Sequence, residues 1–222
     1  MSFPDSIHPR LRAAVLASLP CQAMPVQLAL GALLSAQHEP LHALIACSFD
    51  EGEACLHVGA ALDLVHIGLQ RLHARVDDPE AGSALLGTAG NVLAGDYLTS
   101  GSFKLLLHCS DMRVLQQVAD AITRTCELEA AALGQAERGS ALAMPLGAAA
   151  GWAGAVLAGH AEAQQELARQ FGAALAASNA GPDAAGHADA ALAAARALQQ
   201  ATGNARPLLL AEQWRARLTA QA

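Results

Sequence analysis

Alanine is the feature of this sequence that most limits its fold, because it makes up about a quarter of the chain. Alanine loses the least entropy in a helix and gives a pleated strand little side-chain surface to pack. Aromatic residues make up only 3% of the chain, and no long alternation of β-branched residues suggests a strand. With 53% hydrophobic residues, the chain can bury one substantial core. We predict an all-α, single-domain helical bundle over residues 1–222.

Glycine and proline separate apolar stretches of helical length along the sequence. The first stretch lies between Pro9 and Pro20. Asp111 is a candidate N-cap for a later helix, because its carboxylate can accept hydrogen bonds from the first backbone N–H groups. The predicted helices cover residues 10–19, 25–36, 41–47, 53–73, 83–107, 112–126, 147–158, 161–177, 188–200 and 207–218.

Charge and cysteine content argue against several classes of protein. The net charge is -7, and the single lysine and twelve arginines form no basic cluster of the kind that binds nucleic acid. The five cysteines are odd in number and include no CxxC pair, which favours reduced, buried thiols over disulfides or a zinc site. Asp5, Pro9 and Arg10 interrupt the apolar run that a signal peptide would need. We therefore expect a cytoplasmic protein.

Residues 139–161 contain no formally charged side chain and are long enough to cross a bilayer. The segment consists mainly of alanine and glycine with Pro145 inside it, so its transfer into lipid is weaker than that of a leucine-rich span. Gly147, Gly151 and Gly154 fall near one helix face, where small residues permit close contact with a neighbouring helix. The pattern favours a buried central helix over an integral membrane segment.

Four short motifs are spread over roughly residues 31–186. Residues 93–98 read LAGDYL, residues 60–66 read AALDLVH, residues 126–129 read CELE, and Phe171-Gly172 precedes an apolar stretch. In order and spacing they resemble the LAGDYL, AALELIH, CELEQ and FG..LG elements of the trans-polyprenyl diphosphate synthase family. The resemblance implies a helical bundle of the isoprenoid synthase type, truncated relative to catalytic members, and a place in isoprenoid biosynthesis.

The resemblance also implies where catalytic residues should lie, and the first of these positions is degenerate. The family holds magnesium and an allylic diphosphate with two aspartate-rich motifs, and such hard cations take carboxylate oxygens. At the first motif this chain has Ala74 and Arg75 in place of the leading aspartates, and Asp77 and Asp78 remain. One pair of neighbouring carboxylates supplies too few ligands, so we interpret this pair as a solvated turn.

The other elements of the family's reaction centre are degenerate as well. At the second aspartate-rich motif only Asp183 remains, and Gly181-Pro182 should break the helix that would aim it. The segment that supplies cations for isopentenyl diphosphate corresponds to residues 36–41, where Glu39 would oppose a diphosphate. The arginines that follow the first motif are missing from residues 80–83. We therefore predict no catalytic residue, no metal ligand and no cofactor.

Several remaining polar residues lie in apolar helical segments. His66, His73 and His108 have no cysteine or carboxylate at ligand spacing, so each is interpreted as a hydrogen-bonded structural residue. Asp96, in the GDYL element, is interpreted as structural or as facing a partner subunit.

The resemblance finally implies a partner, because family members dimerise through the helices around GDYL. The candidate subunit interface consists of Asp96, Tyr97, Ser100 and Phe103. We predict a pseudoenzyme, a non-catalytic regulatory or structural small subunit of a heteromeric polyprenyl diphosphate synthase, paired with a catalytic subunit or with itself as a homodimer. The alternative is a stand-alone helical binding module for a prenyl chain or another apolar ligand. A divergent, metal-free enzyme is the third hypothesis.

Overall fold

The chain is helical throughout the parts that the structure describes. A computed structural model describes residues 3–19, 40–73, 87–132, 139–179 and 183–221, and these ranges contain nine α-helices and no strand. The predicted all-α bundle is confirmed, while the helix predicted over 25–36 lies outside the described residues. The helices are α1 (Phe3–Ser18), α2 (Leu41–Cys47), α3 (Glu53–His66), α4 (Gly87–Leu106), α5 (Met112–Ala131), α6 (Met144–Leu157), α7 (Glu162–Ala177), α8 (Ala184–Thr202) and α9 (Arg206–Gln221).

The helices α3 and α6 each pack against several other helices of the bundle. α3 continues beyond His66 as a π-helix over Ile67–Leu72, which agrees with the long helix predicted over 53–73. α6 follows a 3-10 turn over Ser140–Leu142 and packs against α2, α3, α5 and α7. α1, α2 and α4 each pack on α3, while α7, α8 and α9 pack on one another in succession. The core therefore extends from α1 to α9 as one cluster.

The apolar central segment is a core helix. Residues 140–157 are the one described stretch that is long and apolar enough to cross a membrane, and 61% of this stretch is buried inside the bundle. Leu146, Ala149, Ala150 and Ala153 on this stretch are fully inaccessible to solvent. The preference for a buried central helix is confirmed.

Glycines from both helices line the contact between α6 and α7. A Cβ atom on Gly151 would collide with the carbonyl group of Ala168. A Cβ atom on either Gly147 or Gly172 would likewise collide with the carbonyl oxygen of the other residue. Because these neighbours are backbone atoms, they cannot rotate away as a side chain can. The small residues therefore set how closely the two helices approach.

α1 begins earlier than the sequence predicted. It starts at Phe3 and contains Pro9, whereas the prediction placed its start after the proline. Ile7, Leu11 and Val15 form one buried stripe at helical spacing on both sides of Pro9, which is itself exposed. Burial of this stripe explains why the helix continues through a residue that usually ends one.

Most other helix boundaries lie close to their predicted positions. α6 begins at Met144, three residues earlier than predicted, with Pro145 in its first turn, where no intrahelical bond is lost. α8 begins at Ala184, four residues earlier than predicted. Asp111 is the N-cap of α5, and its carboxylate accepts a 2.9 Å hydrogen bond from the backbone N–H of Arg113. The N-cap prediction is confirmed.

Four of the five cysteines lie in the described residues, and all four are free thiols. Cys47, Cys55 and Cys109 are buried, and burial raises the pKa of Cys55 to about 12 and also raises that of Cys47. Cys126 is exposed, which corrects the prediction that the cysteines are buried. The neighbouring Thr125 occupies the buried position on this turn of α5.

Candidate functional site

The GDYL motif lies where α4 crosses the end of α3. Nε2 of His73 lies 3.0 Å from the carbonyl oxygen of Val92 and 3.3 Å from Oδ1 of Asp96. Both of these atoms are acceptors, so Nε2 carries the proton. A Cβ atom on Gly95 would collide with the His73 ring and lie 3.0 Å from the carbonyl oxygen of Gly68. The glycine therefore lets the helices meet, and His73 is a hydrogen-bonded structural residue, as predicted.

An outward surface of α4, which we call the α4 face, combines apolar and small polar side chains. Leu93 is 69% exposed, Phe103 is 53% exposed, and Leu107, just beyond the end of the helix, is 83% exposed. Residues three to four positions apart share one side of a helix, and the face has the spacing of a coiled-coil seam. Exposed apolar clusters of this kind mark surfaces that another molecule can cover. The α4 face consists of Leu93, Asp96, Ser100, Phe103 and Leu107.

Three of the four predicted interface residues lie on the α4 face. Asp96, Ser100 and Phe103 are exposed, whereas Tyr97 is half-buried and packs against the hydrophobic core. The sequence prediction did not include Leu93 and Leu107, which the structure shows to be exposed beside these residues. Their seven-residue spacing from Ser100 was the available signal, because positions seven apart lie on the same side of a helix.

A buried carboxylate connects α3 to the start of α2. Oδ1 of Asp63 accepts a 3.1 Å hydrogen bond from the backbone N–H of His42, and Oδ2 accepts one of 3.1 Å from Ala43. Oδ1 also lies 2.8 Å from Nδ1 of His42. The side chains of Asp63 and His42 are only 4% and 3% exposed. The sequence prediction did not identify this pair, although a lone acidic residue inside the apolar α3 stretch signals a buried partner.

A pair of histidines joins α3 to the residues after α4. The rings of His57 and His108 stack with their centres 4.6 Å apart. Nε2 of His57 also lies 3.9 Å from Glu53, which accepts a 2.7 Å hydrogen bond from Arg10 on α1. Burial lowers the pKa of His57, and the adjacent His108 lowers it further. His108 is thus held by ring stacking, where the sequence predicted a hydrogen bond.

This arrangement of helices is similar to those of several solved prenyl synthases. A polyprenyl synthase from Caulobacter crescentus CB15, solved with calcium and isoprenyl diphosphate, has a TM-score of 0.67 at 22% identity, covering 78% of this chain and 59% of its own. The heptaprenyl diphosphate synthase of Staphylococcus aureus has a TM-score of 0.68 at 18% identity, covering 80% and 63%. The geranyltranstransferase of Thermotoga maritima has a TM-score of 0.71 at 15% identity, covering 97% of both chains. The chain has the isoprenoid synthase fold.

The isoprenoid synthase fold is present here on a divergent sequence. The chain spans about three fifths of the length of the Caulobacter and Staphylococcus synthases. No family model matches the chain, and neither does any curated protein. The fold that the GDYL resemblance implied is therefore confirmed by structural similarity, at 15–22% sequence identity to these three proteins.

The positions where the family resemblance places catalytic residues are described only in part. Asp183 lies at the N-cap position of α8, and α7 ends at Ala177, while Gly181 and Pro182 lie outside the described residues. Across the ranges that the structure covers, no three or more histidine, cysteine, aspartate or glutamate side chains are placed to hold a metal ion together. The four remaining positions lie outside the described residues: Ala74, Arg75, Asp77 and Asp78.

A groove of about 440 Å³ opens between α5, α6 and α7. One of its arginines, Arg169, lies 3.2 Å from Glu166 and stacks over the ring of Trp152. The other, Arg124, lies 2.9 Å from Glu127. Because each of these cations already has a carboxylate partner, a diphosphate would have to compete with both carboxylates. The part of the chain that the structure describes therefore gives this groove no arginine without a carboxylate neighbour.

Proposed function

We propose that this chain is a non-catalytic, cytoplasmic subunit of a heteromeric polyprenyl diphosphate synthase. It binds a catalytic homologue through the α4 face and alters the rate or the product length of that subunit. The proposal combines the isoprenoid synthase fold with the degenerate sequence at the positions where the family resemblance places its reaction centre.

The exposed α4 face is the observation that carries the proposal. Leu93, Phe103 and Leu107 each leave at least half of their surface in water. Leu93 and Phe103 lie on the helix that carries the GDYL motif, and Leu107 directly follows its last residue. Burying such side chains against a partner contributes about 1.5–3 kcal/mol for each one that becomes fully covered. A homologous subunit presents a related surface, so the two faces can pack in the way that identical subunits pack in a homodimer.

The degenerate motifs explain why the chain is proposed to lack activity of its own. Ionising an allylic diphosphate requires several carboxylates that converge on magnesium. At the first motif the sequence has Ala74 and Arg75, and a guanidinium repels a metal ion. At the second motif the surviving Asp183 precedes α8 instead of extending from α7. A catalytic partner would therefore have to supply the complete metal site.

Coexpression with a catalytic polyprenyl diphosphate synthase from the same organism tests the proposal. We expect the two chains to copurify as one complex, with a mass by light scattering that equals the sum of both. We also expect the complex to differ from the synthase alone in turnover rate or product chain length. A chain that stays monomeric, or that pairs only with itself and leaves the synthase unchanged, would contradict the proposal.

A further inference from the structure

The Nε2 atom of His42 is among the buried side-chain nitrogens that make no hydrogen bond within the described residues. The His42 side chain is 3% exposed, and its Nε2 atom makes no hydrogen bond with any residue in the described ranges. A buried polar atom without a partner costs about 1–3 kcal/mol, so such atoms are uncommon and call for an explanation.

The other ring nitrogen of His42 is fixed by Asp63. Nδ1 lies 2.8 Å from Oδ1 of that carboxylate, which also accepts the backbone N–H groups of His42 and Ala43. A carboxylate accepts hydrogen bonds only, so in neutral His42 the proton lies on Nδ1 and the lone pair lies on Nε2. Histidines that bind metals are usually held in this way, with a carboxylate that orients the ring and strengthens its basicity.

A second imidazole stands at the right distance to share a ligand with His42. The rings of His42 and His66 have centres 5.3 Å apart and planes tilted by 47°. Imidazole nitrogens bind Zn²⁺ at about 2.0–2.1 Å, so two rings that share a tetrahedral ion have centres about 5 Å apart. His66 is half-buried at the end of α3, so an ion can approach from its side.

We infer that His42 and His66 bind a divalent transition-metal ion such as Zn²⁺ or Co²⁺, with Asp63 as the residue that positions His42. This site differs from the aspartate-rich positions and does not depend on the proposed function. The sequence had predicted no metal ligand. With two protein ligands, a tetrahedral ion keeps two positions open for water or an anion, whereas catalytic zinc sites keep one such position open.

Metal titration of the untagged protein tests this inference. Zn²⁺ followed by calorimetry, and Co²⁺ followed by its visible absorption, should each give saturable binding of one ion per chain. The His42→Gln and His66→Gln variants should each bind at least tenfold more weakly, and Asp63→Asn about 10–100-fold more weakly. His108→Gln is the matched control, because its ring stacks on His57 at 29° and takes no part in the proposed metal site. It should bind as the wild type does.

Nitrogen-15 spectra of the histidine rings provide a readout that a folding defect does not mimic. In the wild type, the Nε2 resonance of His42 should indicate the Nδ1–H tautomer and should shift when Zn²⁺ is added. The half-buried His66→Gln variant, which disturbs the core least, should keep that tautomer and lose the shift. Absence of saturable binding would overturn the inference, and so would binding that survives His42→Gln or His66→Gln unchanged.

Discussion

Oδ1 of Asp96 on α4 lies 3.3 Å from Nε2 of His73, the last described residue before the first degenerate aspartate-rich position. The same nitrogen hydrogen-bonds the carbonyl oxygen of Val92 one turn earlier. α4 is thus joined to the end of α3 at the residue next to Ala74. In the proposed complex, a partner on the α4 face would therefore sit close to His73, the residue that precedes the segment where the family resemblance places the first aspartate-rich motif.

Charge on the α4 face should prevent assembly without unfolding the chain. Leu107→Glu and Phe103→Glu each place a carboxylate on a surface that the proposal buries, and burying an unpaired charge is strongly unfavourable. We expect at least a tenfold loss of affinity for the catalytic subunit, measured by calorimetry or surface plasmon resonance. Leu209→Glu on α9, where the leucine is 50% exposed, is the control and should leave affinity unchanged.

These surface variants should also keep their stability, which separates loss of binding from loss of fold. Substitutions at exposed positions usually change the free energy of unfolding by about 0.5 kcal/mol or less. If Leu107→Glu and Leu209→Glu assembled equally well with the partner, the α4 face would not be the interface.

The contact between α6 and α7 should tolerate no added methyl group. Gly151→Ala introduces a Cβ atom that collides with the carbonyl group of Ala168, and such overpacking costs about 1–3 kcal/mol. Urea denaturation should show this loss in the free energy of unfolding. Gly139→Ala is the control, since a Cβ atom there meets nothing within 4 Å. Equal stability of the two variants would show that the helices can move apart without cost.

The buried carboxylate of Asp63 should contribute more to stability than the half-buried N-cap Asp111. Asp63→Ala leaves two buried backbone N–H groups of α2 without an acceptor, at about 1–3 kcal/mol for each. Asp111→Ala removes an N-cap at about 1 kcal/mol. Chemical denaturation of both variants measures which substitution lowers the free energy of unfolding more. A smaller loss for Asp63→Ala than for Asp111→Ala would contradict the hydrogen-bond network described above.

The stacked histidines should make stability depend on pH. Burial and His108 lower the pKa of His57 in the folded state below its ordinary value of 6.5, so the unfolded chain binds the proton more readily. Stability from this group is fully present above pH 6.5 and is lost as the pH falls through 6.5 toward the lowered value. Urea denaturation between pH 7.5 and 5.5, a range of about one unit on either side of the ordinary histidine pKa, should show this loss of stability.

His57→Gln should flatten that pH dependence. His187→Gln is the control and should leave the pH dependence in place, because the ring of His187 forms a hydrogen bond with Ser140 on another part of the bundle. A wild-type protein whose stability did not fall over this range would contradict the account of the His57 environment.

Much of the fold follows from local sequence. Alanine content and helical spacing predicted the all-α bundle, and the oxygen of Asp111 predicted a helix start that the structure confirms. The start of α1 was wrong because a local rule about Pro9 was outweighed by burial of Ile7 beside Leu11 and Val15. That burial depends on how α1 packs against α3 and α4, which a single sequence does not reveal.

The candidate site was harder to predict, because its contacts join residues that are far apart along the chain. His42 and Asp63 are separated by 21 positions and meet only because α2 packs on α3. Leu106 and Leu107 are neighbours of identical chemistry, yet one is 4% exposed and the other 83% exposed. The direction of each side chain at the end of α4 decides this difference. The sequence could indicate the GDYL helix but not all the residues that form its outer face.

Turnover of allylic and homoallylic diphosphates is the most direct measurement of the central claim. The purified chain should form no prenyl product with Mg²⁺ when it is alone. Mixed with a catalytic synthase from the same organism, it should change that enzyme's rate or product length. Magnesium-dependent product formation by the chain alone would contradict the account.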